Sequence, residues 1–126
     1  MMRIAIRTIL MCALAATPLP ALAEGFRLLM VEQAGCVHCR MWKNDIGPIY
    51  PKTPEGALAP LEMVQLRGDW PEGVVIGARP VFTPTFLLLK DNVEVARIEG
   101  YPGEDFFWGL LGMALRDNGA ALPAIQ

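Results

Sequence analysis

The amino-acid sequence predicts an α/β fold, a mixed central sheet of about four strands with helices on both faces. Three observations carry this. Apolar runs of strand length recur at 26–33, 61–68, 85–90 and 93–100. Segments of helical pattern stand between and after them. The resulting order of strand, helix, strand, short helix, strand, strand, helix calls for a mixed sheet with helical layers, and the 126-residue chain is long enough for one such domain.

The first 23 residues stand apart from this pattern. MMRIAIRTILMCALAATPLPALA has Arg3 and Arg7 ahead of an apolar run, then Pro18, Pro20 and the small Ala21-Leu22-Ala23 triplet. That is the layout of a secretory signal peptide cleaved after Ala23, and its apolar run is too short for a spanning helix. Met11 is not the small residue that a lipid attachment at Cys12 would require. The sequence divides accordingly into a signal peptide (1–23), one domain (24–120) and a C-terminal tail (121–126). Of 11 basic and 13 acidic residues, only Arg3 and Arg7 leave with the leader, so the exported chain carries about −4. That balance, with no basic block, argues against nucleic acid as a partner.

FRLLMVEQ (26–33) reads as a buried strand ending at the Ala34-Gly35 turn. CRMWKNDI (39–46) has helical periodicity, with Met41, Trp42 and Ile46 available for burial before Gly47-Pro48. The stretch GPIYPKTPEGALAP carries four prolines and two glycines, which fits either a loop or a helix restarting near Glu55. Beyond the strand run at 61–68, Asp69 is placed to cap a short helix with Pro71 in its first turn. Asp91-Asn92 suits a tight hairpin between 85–90 and 93–100, the second of which alternates polar and apolar residues with a slip near Ala96. Gly103-Glu104-Asp105 then opens an apolar helix closing at Asp117-Asn118-Gly119.

The chemistry concentrates in AGCVHCRMW, residues 34–42. With Cys12 in the leader, Cys36 and Cys39 are the exported chain's cysteines, and export places them where disulfides persist. Two cysteines are too few for a disulfide scaffold, and a bridge across so short a loop restrains the unfolded chain little. At a helix N-terminus, Cys36 sits by the positive end of the dipole and by unpaired amides, both of which favour the thiolate. Cys39, one turn further in, is better shielded. Cys36 is therefore the attacking sulfur and Cys39 the resolving one. His38 is a candidate to stabilise the Cys36 thiolate, which would make the pair more oxidising; the alternative is a histidine that only covers the helix start.

Metal binding competes for the same pair. Zinc wants four ligands and finds three candidates in Cys36, His38 and Cys39. Copper(I) could use both thiolates, with Met30, Met41, Met63 and Met113 as further soft donors, although their apolar segments assign those methionines to the core. No metal or other cofactor is expected. Thr83-Pro84, immediately before a strand, is the second signal, since proline there fits a special turn and a cis bond would account for it.

A strand leading into Cys-x-x-Cys, a later Thr-Pro before a strand, a hairpin, Gly100 and a final amphipathic helix together resemble the thioredoxin superfamily. The signal peptide, GCVHCRMW, IYPKTPEGALAPL and RPVFTPTFLLL are similar to the periplasmic thioredoxin-like SoxS proteins of bacterial sulfur-oxidation clusters. The resemblance implies a thioredoxin-like fold, a cis Pro84 lying against the cysteine pair, and substrate contacts at Thr83, Pro84 and Val37. It also implies a periplasmic reductase acting on the sulfur carrier SoxYZ, supplied with electrons by a membrane thiol-disulfide transporter. Two departures stand out: Val37-His38 replaces the usual Gly-Pro, and Met30 occupies the position of a buried aspartate that moves the resolving cysteine's proton. Glu32 is the nearest replacement, either in that role or as a solvated residue at the strand end. The reductase reading is set against two others, a periplasmic dithiol oxidant for folding proteins and a copper(I)-binding or chaperone protein.

Overall fold

The structure, a computed structural model, describes residues 25–123. The expected signal peptide at 1–23 and the last three residues of the tail lie outside them. The elements are β1 (Phe26–Glu32), α1 (Val37–Asp45), a 3-10 turn (Tyr50–Lys52), α2 (Pro54–Leu58), β2 (Leu61–Gln65), β3 (Thr85–Lys90), β4 (Val93–Glu99) and α3 (Glu104–Asp117). They build one four-stranded sheet in the order β2-β1-β3-β4, with β1 parallel to β2 and antiparallel to β3.

Strand periodicity divides the core in two. Residues Leu28, Met30, Phe86, Leu88 and Ile98 face the helices, where Trp42, Phe107, Leu111 and Leu115 meet them. Trp42 is fully buried, its ring 5.2 Å from Phe86 and 5.5 Å from Phe107 between centroids. These large apolar rings supply much of the area removed from water. The insertion at 47–60 joins this core, because Tyr50 stacks on Trp108 and donates a hydrogen bond from its hydroxyl to the Ala59 carbonyl at 2.7 Å. Burial, followed by the nearby Glu55 carboxylate, pushes the Tyr50 phenol well above its ordinary range.

The opposite face differs from expectation. Leu29, Val31, Val64, Leu87 and Leu89 are covered by Leu66, Trp70, Val74 and Ile76 from an irregular segment. The helices therefore pack on one face of the sheet, and the short helix expected at Asp69 is absent. Its few residues are held in other ways: Trp70 Nε1 donates to the Gln65 carbonyl, Gly73 turns at φ 77°, and Val75 bridges to Val93. Side-chain burial and sheet pairing outweigh a weak local helix signal here.

The hairpin turns on Asp91 and Asn92 at φ 51° and 66°, the left-handed pair a two-residue turn of this type demands. The slip near Ala96 is a bulge: Leu88 pairs with Ala96 and Leu89 with Glu94, leaving Val95 as the extra residue. After α3, Leu122 still packs against the core and Arg116 donates to the Pro123 carbonyl. Three of the four methionines expected in the core, Met41, Met63 and Met113, are exposed, and only Met30 is buried. Met63 lies on the edge strand β2, and Met113 on the α3 face turned from the sheet.

Candidate active site

Cys36 closes the turn after β1, with Gly35 at φ 77° and the Cys36 amide donating to the Gln33 carbonyl. It is the N-cap of α1. Its sulfur accepts a hydrogen bond from the Cys39 amide at 3.1 Å, the place a capping oxygen would fill. Cys36 and Cys39 are joined in a disulfide with Cα atoms 5.2 Å apart. The first sulfur's residue is half-buried and the second is 2% exposed. Nine helical residues behind Cys36, with no acidic side chain in the first turn, leave the dipole's positive end unopposed there.

Thr83-Pro84 is cis, and Pro84 is buried. Thr83 Oγ1 accepts a hydrogen bond from Gln33 Nε2 at 3.0 Å, so Gln33 ties the proline loop to the cysteine turn through its side chain and its carbonyl. Val37, between the cysteines, is exposed, as a residue open to a substrate must be. His38 is also exposed, and among the described residues it makes no hydrogen bond with either sulfur.

Period-two alternation carries Leu28, Met30 and Glu32 onto the helix-facing side of β1. Met30 is fully buried, and Glu32 follows it as a 9% exposed carboxylate rather than a solvated strand end. Glu32 pairs with Lys43 of α1 and accepts a hydrogen bond from Gln65 Nε2 at 3.1 Å. All three residues, with Cys36, Cys39 and Arg40, line one cavity of about 270 Å³. Sequence reasoning missed Gln33, Arg40 and Lys43. Helical spacing could have found the last, since Lys43 stands one turn beyond Cys39 and beneath it.

Among the described residues no three His, Cys, Asp or Glu side chains converge as a metal site would need, and no helix is long and apolar enough to cross a membrane. No family model matches the sequence, and no curated protein matches it. The structure is similar to the crystal structure of the periplasmic thioredoxin SoxS from Paracoccus pantotrophus in its reduced form. The TM-score is 0.72 and the sequence identity 46%, with 74% of this chain and 98% of that one covered. A strand feeding a helix-capping Cys-x-x-Cys disulfide, matched at that identity, places the chemistry as well as the fold: the chain belongs to the thioredoxin superfamily, in its SoxS-like group, and is a thiol-disulfide oxidoreductase.

Proposed function

We propose that the protein is a periplasmic reductase that returns a specific client, the sulfur carrier SoxYZ, to its active state by thiol-disulfide exchange and draws electrons from a membrane thiol-disulfide transporter. The observation that carries this reading is the 46% identity to a periplasmic SoxS over nearly all of that protein's length, joined to the disulfide at the start of α1.

In the reduced protein, Cys36 is the nucleophile, its thiolate favoured by the amides and dipole of α1. It attacks a client disulfide held along Thr83, Pro84 and Val37, and one client sulfur leaves as thiolate. Cys39 then gives up its proton, attacks the Cys36 sulfur and releases the second client sulfur. Two electrons pass to the client, and the Cys36–Cys39 bond forms. Glu32 is the group that takes the Cys39 proton, because a sulfur that is 2% exposed has the shared cavity as its way out and Glu32 is that cavity's carboxylate. His38 acts on the mouth of the site as a tuning residue rather than through a bond to sulfur.

A Cys39→Ser variant tests the reading. Mixed with oxidised SoxYZ, it is expected to accumulate a covalent complex that dithiothreitol dissolves, while Cys36→Ser gives none; absence of the complex would count against exchange chemistry on this client. The direction of flow is read from the reduction potential. A value near about −270 mV supports a reductase, and one near about −120 mV makes the protein an oxidant.

A further inference from the structure

The ends of β1 and β2 and the start of β3 lie at the same edge of the sheet, because β2 runs parallel to β1 and β3 runs against it. Cys36 follows β1, Leu66 and Arg67 follow β2, and Val81 to Thr83 lead into β3. An open groove of about 690 Å³ crosses this edge, lined by Leu66, Arg67, Arg79, Pro80 and Val81. It continues toward the disulfide through Val81 and Phe82, which are 75% and 65% exposed, and then through Thr83, whose hydroxyl is bonded to Gln33.

Two features give the groove a chemistry. Its apolar part is firm: Pro80 is buried, and Arg79 is fixed over the Trp70 ring at 4.7 Å while its Nη2 contacts the Leu66 and Gly68 carbonyls at 3.4 Å each. Its lining carries two guanidinium groups and no carboxylate. Arg67 and Arg79 make no ion pair among the described residues, and Asp69 and Glu72 on the same segment form none with either. Two guanidinium groups without a carboxylate partner thus stand beside exposed apolar side chains.

Resting on the exchange reading above, we infer that this groove docks an acidic, extended segment of the client protein flanking its reactive cysteine. Carboxylates on that segment meet Arg67 and the open edge of the Arg79 guanidinium, and an apolar residue next to the cysteine rests on Val81 and Phe82. Arginine suits the task because its planar fork pairs with carboxylates while it stacks on an aromatic ring. Continuity with the Thr83-Pro84 loop makes docking and exchange parts of one encounter. The groove selects the client and raises its rate of arrival.

The test uses two synthetic peptides, each with one cysteine activated as a 2-pyridyl disulfide and differing only in having aspartates or asparagines on both sides of it. The fully reduced protein attacks the peptide sulfur through Cys36, expels pyridine-2-thione, and then releases the peptide thiol as Cys39 closes the disulfide. The release rate is followed at low salt and high salt. The acidic peptide is expected to react about tenfold faster at low salt, from two exposed charge contacts, with the ratio falling toward one as salt screens them. In Arg67→Glu the ratio is expected to drop at least about threefold, an exposed pair being lost and a like charge added. A ratio near one in the unaltered protein overturns the inference, as does a preference that survives Arg67→Glu undiminished. Failure of both peptides to react at all would instead refute the exchange reading on which it rests.

Discussion

Replacing Glu32 by Gln removes one charge from the cavity wall while keeping the side chain's size and its ability to bond Gln65. Glu32 is 12% exposed at its side chain and its partner Lys43 is 38% exposed. The pair thus lies between two limits, surface ion pairs worth at most about 1 kcal/mol and fully buried ones whose breakage costs about 3–5 kcal/mol. Lys43 can extend its ammonium toward solvent once unpaired, which places the loss near the lower limit, at about 1–2 kcal/mol. Urea unfolding of the oxidised protein reads this directly. A Lys43→Met change combined with Glu32→Gln completes a double-mutant cycle and is expected to recover part of the loss. The kinetic consequence is separate: without its acceptor the Cys39 thiol should resolve a preformed mixed disulfide about a hundredfold more slowly, in the range for loss of a general base. Rapid-quench mass spectrometry of the mixed disulfide follows that step. Additive single variants together with an unchanged resolving rate would refute the assignment of Glu32 to proton transfer.

Other parts of the fold give equally direct outcomes. A Cβ at Gly56 would lie 1.8 Å from the Tyr50 carbonyl oxygen, a backbone atom, so Gly56→Ala is expected to cost at least about 2 kcal/mol in chemical denaturation by forcing α2 from the core. Leu111→Ala empties space beneath the sheet at a fully buried position and should lower stability by about 2–5 kcal/mol. The Arg97 guanidinium, bonded to both oxygens of Glu94, holds that carboxyl below its ordinary range, with the Gly77 amide as a further donor. Its folded-state pKa being depressed, Glu94 contributes stability that is present above the unfolded carboxylate pKa and lost as pH falls through the folded one. Melting curves recorded on descending pH should therefore flatten in Glu94→Gln, with an unaltered acid slope excluding this role.

Much of the architecture is legible along the chain because it depends on local period and punctuation. The four strands, the helix following the cysteines, the hairpin at Asp91-Asn92 and the bulge near Ala96 all follow from alternation, apolar spacing and turn residues. The same holds for the two cysteines, whose three-residue spacing at a helix start already states their chemistry. Where a local signal was weak, packing overrode it. The segment at 69–76 uses Trp70, Val74 and Ile76 to cover the second sheet face, which a short helix capped by Asp69 would not achieve.

The sequence by itself determined the four strands, the helix after the cysteines and the final helix, and that a dithiol pair stands at a helix start, since each is a property of neighbours within a few positions. Tertiary structure alone decided what surrounds that pair. Glu32 became a buried partner of Lys43 because the sheet's pleat turns it under α1, and His38 stayed in solvent because it lies on the side of the helix's first turn away from the buried Cys39. Gln33 met Thr83, 50 residues away in sequence, because β1 and β3 are neighbours in the sheet. Arg67 and Arg79 came to share one groove because β2 ends and β3 begins at the same end of the sheet, on either side of β1. Such distances are set by strand order and register, which no short stretch of sequence contains.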